Sequence, residues 1–284
     1  MNIYQCFATT LFHLILLTLP TISFADNPQL SDAKALLDEG KVDQAVEVMK
    51  NSLESTHELS KKADIQGAIG WALVTESKYA EAQEYLTSSL KNALESNNQN
   101  AALRANNNLG IANYLQNNLE LSKAYFNQDL ARDSSTAQNY LNLIGIKERK
   151  IKGEEALSAG VTERRNLNFE EAVEKYNLSL EYMPDNAKTL ELKGYALFRL
   201  GRFDDAYSTL HLAKEADPSR RFVYLNLLKV ACSTNANEAI EHTVNNSGIE
   251  LQTYRHWYDI DGEFRTVCSN NQTLAAILSK GAKN

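Results

Sequence analysis

Small and hydrophobic residues recur along this chain at helical spacing, and little interrupts them. The segment between Asp133 and Asn166 contains no proline, and Tyr140, Leu141, Ile144, Leu157 and Val161 recur along it at helical intervals. It reads as a long connecting helix, or two helices nearly end to end, with Ser134 or Ser135 as N-cap and Gly153 as the alternative break. Gly67 and Gly70 fall inside another apolar-periodic helix. Four prolines and twelve glycines in 284 residues are too little punctuation for a protein of many short strands and turns. A hydrophobic content of 43% suffices for a packed core or a repeat array and argues against disorder.

Five positions repeat at a single interval. Gly160, Phe169, Ala172, Tyr176 and Pro184 are followed, 34 residues later in every case, by Gly194, Phe203, Ala206, Leu210 and Pro218. Each has a mechanical reason. The small residues let two antiparallel helices approach, the phenylalanines open the second helix and plug the gap to the next unit, and the prolines end each unit. The segment Lys193 to Pro218, with Gly194, turn Gly201, Phe203, Ala206 and Pro218, closely resembles the tetratricopeptide-repeat consensus. The preceding copy has the same skeleton but sets Asn166 where the turn glycine usually sits. Looser copies surround Gly70 (with Tyr79, Ala82 and Leu86) and Gly110 (with Leu119 and Ser122 in place of the aromatic and the alanine). These two lack terminal prolines, so their helices are expected to run on by an extra turn. The first copy keeps Gly40 and Ala45 behind a short helix capped by Ser31.

The resemblance implies an all-α fold, a tetratricopeptide-repeat α-solenoid of antiparallel helix pairs with a short C-terminal cap. Residues 26–133 form an N-terminal array, 134–152 the connecting helix, 153–254 a C-terminal array and 255–284 the cap. In that cap Asp259, Asp261 and Phe264 lead through Asn270 and Asn271 to Leu274, Ile277 and Leu278. A last repeat otherwise exposes its apolar face, so the acidic pair reads as turn and capping chemistry, with no metal site.

Residues 1–25 carry the pattern of a signal peptide. Phe7 to Phe24 is uncharged, Leu11 to Leu19 is almost wholly apolar, and Ser23 and Ala25 place small residues before Asp26. The region before the apolar run lacks Lys and Arg, which leaves an uncleaved anchor as the competing reading. Export places the protein in the periplasm or outside the cell, with no membrane insertion once the signal is removed. There Cys232 and Cys268 form one disulfide or, alternatively, stay as two buried hydrophobes.

A formal net charge of −7 disfavours nucleic acid as a partner. No HExxH, GxSxG, P-loop or GxGxxG pattern occurs, the closest histidines are His242 and His256, and no cofactor is implied. The paired carboxylates Glu170-Glu171 and Asp204-Asp205 precede second helices, where they suit the helix dipole. Glycan acceptor triplets begin at Asn177, Asn245 and Asn271 and are read as silent.

In the family, first helices line the surface that binds peptides or helices of other proteins. Projection onto that pattern nominates Trp71, Asn107, Ile111, Tyr114, Arg164, Arg165, Glu191, Tyr195, Phe198, Arg199 and Lys229. Trp71 and Phe198 have packing between helices as the equal alternative. Arg164, Arg165 and Arg199 are expected as neighbours on one rim, suited to an acidic peptide, or otherwise as dipole-complementing residues. The carboxylate clamp of some relatives is not reproduced, because Leu157 and Val161 stand where its polar residues belong. The expectation is a non-enzymatic scaffold holding another protein or peptide, with homo-oligomerisation through stacked arrays left open. The alternative is a ligand-binding module or enzyme built around Trp257 and Tyr258.

Overall fold

The computed structural model describes residues 28–131 and 133–280; the expected signal segment lies outside them. Among the described residues all regular structure is helical, and the chain divides into two compact units, residues 1–145 and 146–284. The first unit contains α1 (Pro28–Asp38), α2 (Val42–Glu54), α3 (Leu59–Thr75), α4 (Tyr79–Glu95), α5 (Gln99–Leu115), α6 (Leu119–Phe126) and the start of α7 (Ser135–Arg165). The second contains the rest of α7, α8 (Phe169–Tyr182), α9 (Ala187–Arg199), α10 (Phe203–Ala216), α11 (Arg221–Ser233) and α12 (Asn237–Asn246). It closes with α13 (Leu251–Ile260), α14 (Gly262–Cys268) and α15 (Gln272–Ser279).

The turn inside each helix pair is the same device six times. Gly40, Ser77, Asn117, Leu167, Gly201 and Asn235 all have φ between 52° and 74°. Around each, the next residue's N–H reaches back five residues, as Arg202 does to the Leu197 carbonyl at 3.0 Å and Asn168 to the Glu163 carbonyl at 3.0 Å. This is the Schellman cap, which ends one helix and aims the chain into the next. The left-handed position in the fourth pair is therefore Leu167, one residue beyond the expected Asn166. Ser31 also departs from expectation. It lies inside α1, which already includes Pro28, so it caps nothing.

Close approach of paired helices is set by glycines facing bulky residues 16 positions later. A Cβ on Gly194 would stand 2.6 Å from Leu210 Cγ, and one on Gly160 would stand 2.6 Å from a Tyr176 ring carbon. Gly70 meets Leu86 and Gly110 meets Phe126 in the same way. All four bulky partners are fully buried. The expected extra turn is present in the Gly70 unit, where α3 and α4 have 17 residues against 14 in α8 and α10; in the Gly110 unit α5 has 17 but α6 stops after 8, so the expectation fails for its second helix.

Helix α7 runs unbroken for 31 residues. Ser134 caps it, accepting the Ala137 N–H at 3.4 Å while Asn107 donates to the same hydroxyl at 3.0 Å. Gly153 does not interrupt it: the residue is buried, and a Cβ there would stand 2.8 Å from the Met183 side chain.

The last two helices close the second unit. Helix α14 packs on α11 and α15 on α12, around a core that includes Leu228, Ile240, Tyr254, Trp257, Phe264, Leu274 and Ile277. Asp261 caps α14 by accepting the Phe264 N–H at 2.8 Å, and Asn271 caps α15 by accepting the Leu274 N–H at 2.9 Å. A disulfide joins Cys232 to Cys268, their Cα atoms 5.2 Å apart, so the ends of α11 and α14 are covalently tied. Burial of Asn271 in that cap leaves no room for a glycan.

Candidate functional site

The first helices of the second unit bring one cluster of cations and aromatics together. Tyr195, in the third turn of α9, is its centre. Arg164 from the last turn of α7 places its guanidinium carbon 5.8 Å from the Tyr195 ring centroid. Arg199 lies 6.0 Å and the Lys229 Nζ 5.6 Å from the same centroid. Arg199 also covers the ring of Phe169 at 4.5 Å, and Phe198 adjoins Tyr195 with centroids 6.2 Å apart. Three cations therefore surround one electron-rich ring, each attracted to its negative face.

This cluster already holds carboxylates, supplied by α14 and its cap. Glu263 Oε1 accepts from the Tyr195 hydroxyl at 3.3 Å and lies 3.3 Å from Arg199 Nε, while its Oε2 accepts from Lys229 Nζ at 2.9 Å. Lys229 donates a second bond to Asp261 Oδ2 at 2.8 Å, and Arg199 donates to the Tyr195 hydroxyl at 3.1 Å. Burial alone would raise the Asp261 carboxyl. The hydrogen bonds from Lys229 and the Phe264 backbone, with the Lys229 charge, overcome it and hold the group below its ordinary value. Three cations face two carboxylates, so the cluster keeps a positive surplus. Arg164 carries it, turned toward the Tyr195 ring and the buried Tyr176 hydroxyl.

Several nominated residues have other duties. Lys229 is only 5% exposed and neutralised within the chain, because an ammonium buried there without a counter-charge would be costly. Glu191 is likewise covered and bound by Arg220 at 2.7 Å, so it is not open to a partner. Phe198 is buried among the helices it joins. Arg165 is exposed, and none of the cluster's contacts includes it.

In the first unit, Trp71 and Ile111 belong to the core, and Trp71 also borders a small cavity beside Asp64, Arg104 and Asn108. Asn107 is buried and spent on Ser134. Tyr114 is half-buried, edge-on to Tyr140 at 5.3 Å. Burial, with Tyr114 beside it, pushes the Tyr140 hydroxyl up to about 12. The aromatic positions chosen by helical spacing were packing positions here, since a stripe alone does not separate core from groove.

Three members of the cluster were not nominated from the sequence as binding residues, Phe169, Asp261 and Glu263. Glu263 follows Asp259 and Asp261 in an acidic turn, and charge complementarity with first-helix cations was the available signal. Among the described residues, no group of three or more His, Cys, Asp or Glu side chains is placed to hold a metal ion, and no helix is long and apolar enough to cross a membrane.

The repeats have a counterpart among known families. A family model described as tetratricopeptide repeat matches residues 68–135 and 157–220. Those two stretches are tetratricopeptide repeats, and among the described residues the fold is all-α, built of antiparallel helix pairs. Similar solved structures include the TPR2AB domain of yeast Sti1 in its pHSP90 complex, 16% identical, with a TM-score of 0.43 over 91% of this chain and 98% of that one. They also include pilF of Pseudomonas aeruginosa, 15% identical, with a TM-score of 0.32 over 87% of this chain and 98% of that one. The tetratricopeptide-repeat domain of P58(IPK) is 13% identical, with a TM-score of 0.35 over 95% and 82%. No curated protein matches the sequence.

Proposed function

We propose that this chain is a non-enzymatic scaffold of the cell envelope that holds an acidic segment of a partner protein on the first-helix face of its second unit. The observation that carries the proposal is the Tyr195 cluster. It is chemically competent to bind a carboxylate, because it binds that of Glu263 through Tyr195, Arg199 and Lys229. Arg164 adds a cation with no carboxylate of its own in the cluster, and Arg165 adds an exposed one beside it in sequence. Arginine and tyrosine give interfaces large contact area together with polar handles. The stacked helices preform such a face, so a partner pays little for ordering it.

Export is supported by the apolar leader and by the Cys232–Cys268 bond, a chemistry that persists in oxidising compartments. The ligand-binding alternative has weaker support. Trp257 is committed to the apolar core of the cap. The adjacent cleft of about 310 Å³, lined by Arg255, Tyr258, Asp259, Ala275 and Leu278, is a shallow surface feature whose arginine is bonded to the Leu278 and Lys280 carbonyls.

Affinity capture from envelope extract with the mature protein and an Arg164→Glu/Arg165→Glu variant tests the scaffold reading. We expect the variant to keep its circular dichroism and melting temperature and to lose the captured partner. Undiminished capture would rule out this face.

A further inference from the structure

The Tyr195 cluster is occupied by the chain's own Glu263, and its two acidic partners are held in very different ways. Asp261 has two tasks: it caps α14 through the Phe264 N–H at 2.8 Å and neutralises buried Lys229 at 2.8 Å. Phe264 behind it is fully buried, and Cys268 one turn on is tied to Cys232. Helix α14 is thus pinned at both ends. Glu263 only shares in neutralising Lys229, which Asp261 also does. Its side chain is 27% exposed, it caps nothing, and Lys229 would retain Asp261 without it. A rotation of that one side chain uncovers Arg199, itself 34% exposed, together with the Tyr195 hydroxyl and one face of Lys229.

We propose that Glu263 is a built-in competitor: an acidic segment of the partner displaces its carboxylate from Arg199, Tyr195 and Lys229, and this exchange sets the affinity of the face. The proposal rests on the first-helix face being the binding surface. Its physical basis is substitution of like for like. The incoming carboxylate remakes the charge-assisted hydrogen bonds that Glu263 gives up, so no buried cation is left unpaired during exchange. A neutral segment offers no such replacement and would leave Glu263 in place. Selectivity for acidic partners follows from the resident side chain as much as from the cations around it. The apparent affinity is the intrinsic affinity reduced by the fraction of molecules in which Glu263 is disengaged.

The test uses the full mature chain and a fluorescein-labelled peptide of alternating glutamate and tyrosine, with a glutamine–tyrosine peptide as control, read by fluorescence anisotropy. Glu263→Gln keeps the side-chain shape and removes the competing charge. The expected result is binding about tenfold tighter or more than to the unaltered protein, lost again when Arg199→Gln is added, with the control peptide bound by neither. Melting temperature checks that each variant is folded, and Glu263→Asp, whose shorter side chain keeps the charge, serves as the second variant and should fall between the two. Equal or weaker binding by Glu263→Gln overturns the exchange, as does no binding of the acidic peptide to any folded variant. The capture experiment with Arg164→Glu/Arg165→Glu then decides separately whether the face itself stands, because that variant leaves Glu263 and its three partners intact.

Discussion

Leu167 shows how the repeat constrains single residues. It lies at φ 67°, where a side chain crowds the following carbonyl oxygen, and it is 66% exposed, so its own packing offsets little of that cost. The equivalent position one repeat later is Gly201, at φ 73°. Leu167→Gly should therefore stabilise the protein by about 0.5–1 kcal/mol, the relief of left-handed strain less the extra freedom glycine has in the unfolded chain. Chemical denaturation checks this, and a lowered midpoint would mean that Leu167 contributes contacts beyond those seen. The 34-residue register places Leu167 under Gly201. Charged residues were harder to read. Lys229 finds Asp261 and Glu263 32 and 34 residues away, and Glu191 finds Arg220 29 residues away, pairings that depend on how neighbouring helices are rotated. Helical spacing carries no such information.

Among the elements, four of the six pairs share one close contact, a glycine facing a bulky residue 16 positions on. In the best-formed repeat, a methyl group at Gly194 would be forced to 2.6 Å from Leu210 Cγ, with the Ala206 carbonyl at 3.5 Å behind it. Gly194→Ala should cost about 1–3 kcal/mol, the range typical of overpacking a dense core. In the Gly194→Ala/Leu210→Ala double variant the loss should be less than the sum of the two single losses, since the space vacated by leucine accepts the new methyl. Strict additivity, measured as denaturation free energies, would show that the helices do not meet at this point. The element pattern was legible because two copies state it in full at one 34-residue interval, and the looser copies keep the glycine even where the aromatic, alanine or proline is missing. The continuity of α7 was only half legible. The missing prolines indicated helix, but nothing local showed that Met183 would hold Gly153 in place.

At the scale of the whole molecule, the chain sets a small basic cluster in a protein of net charge −7. Attraction to an acidic partner is therefore short-ranged, felt within about 8–10 Å at physiological salt, and an acidic segment must reach the face before it is favoured. Repeat arrays need a closing element, and here the element that buries the last apolar face also delivers Glu263 to the Tyr195 cluster. Cap and proposed competitor are one segment.

The most direct measurement of the central claim places a photo-crosslinking residue at half-buried Leu192, on the same face of first helix α9 as Tyr195 and Arg199, and separately at Tyr207 on second helix α10, which is 39% exposed. Irradiation in the presence of envelope extract should yield an adduct with the partner from position 192 and none from position 207. An adduct from position 207 with none from position 192 would contradict the assignment of binding to the first-helix face.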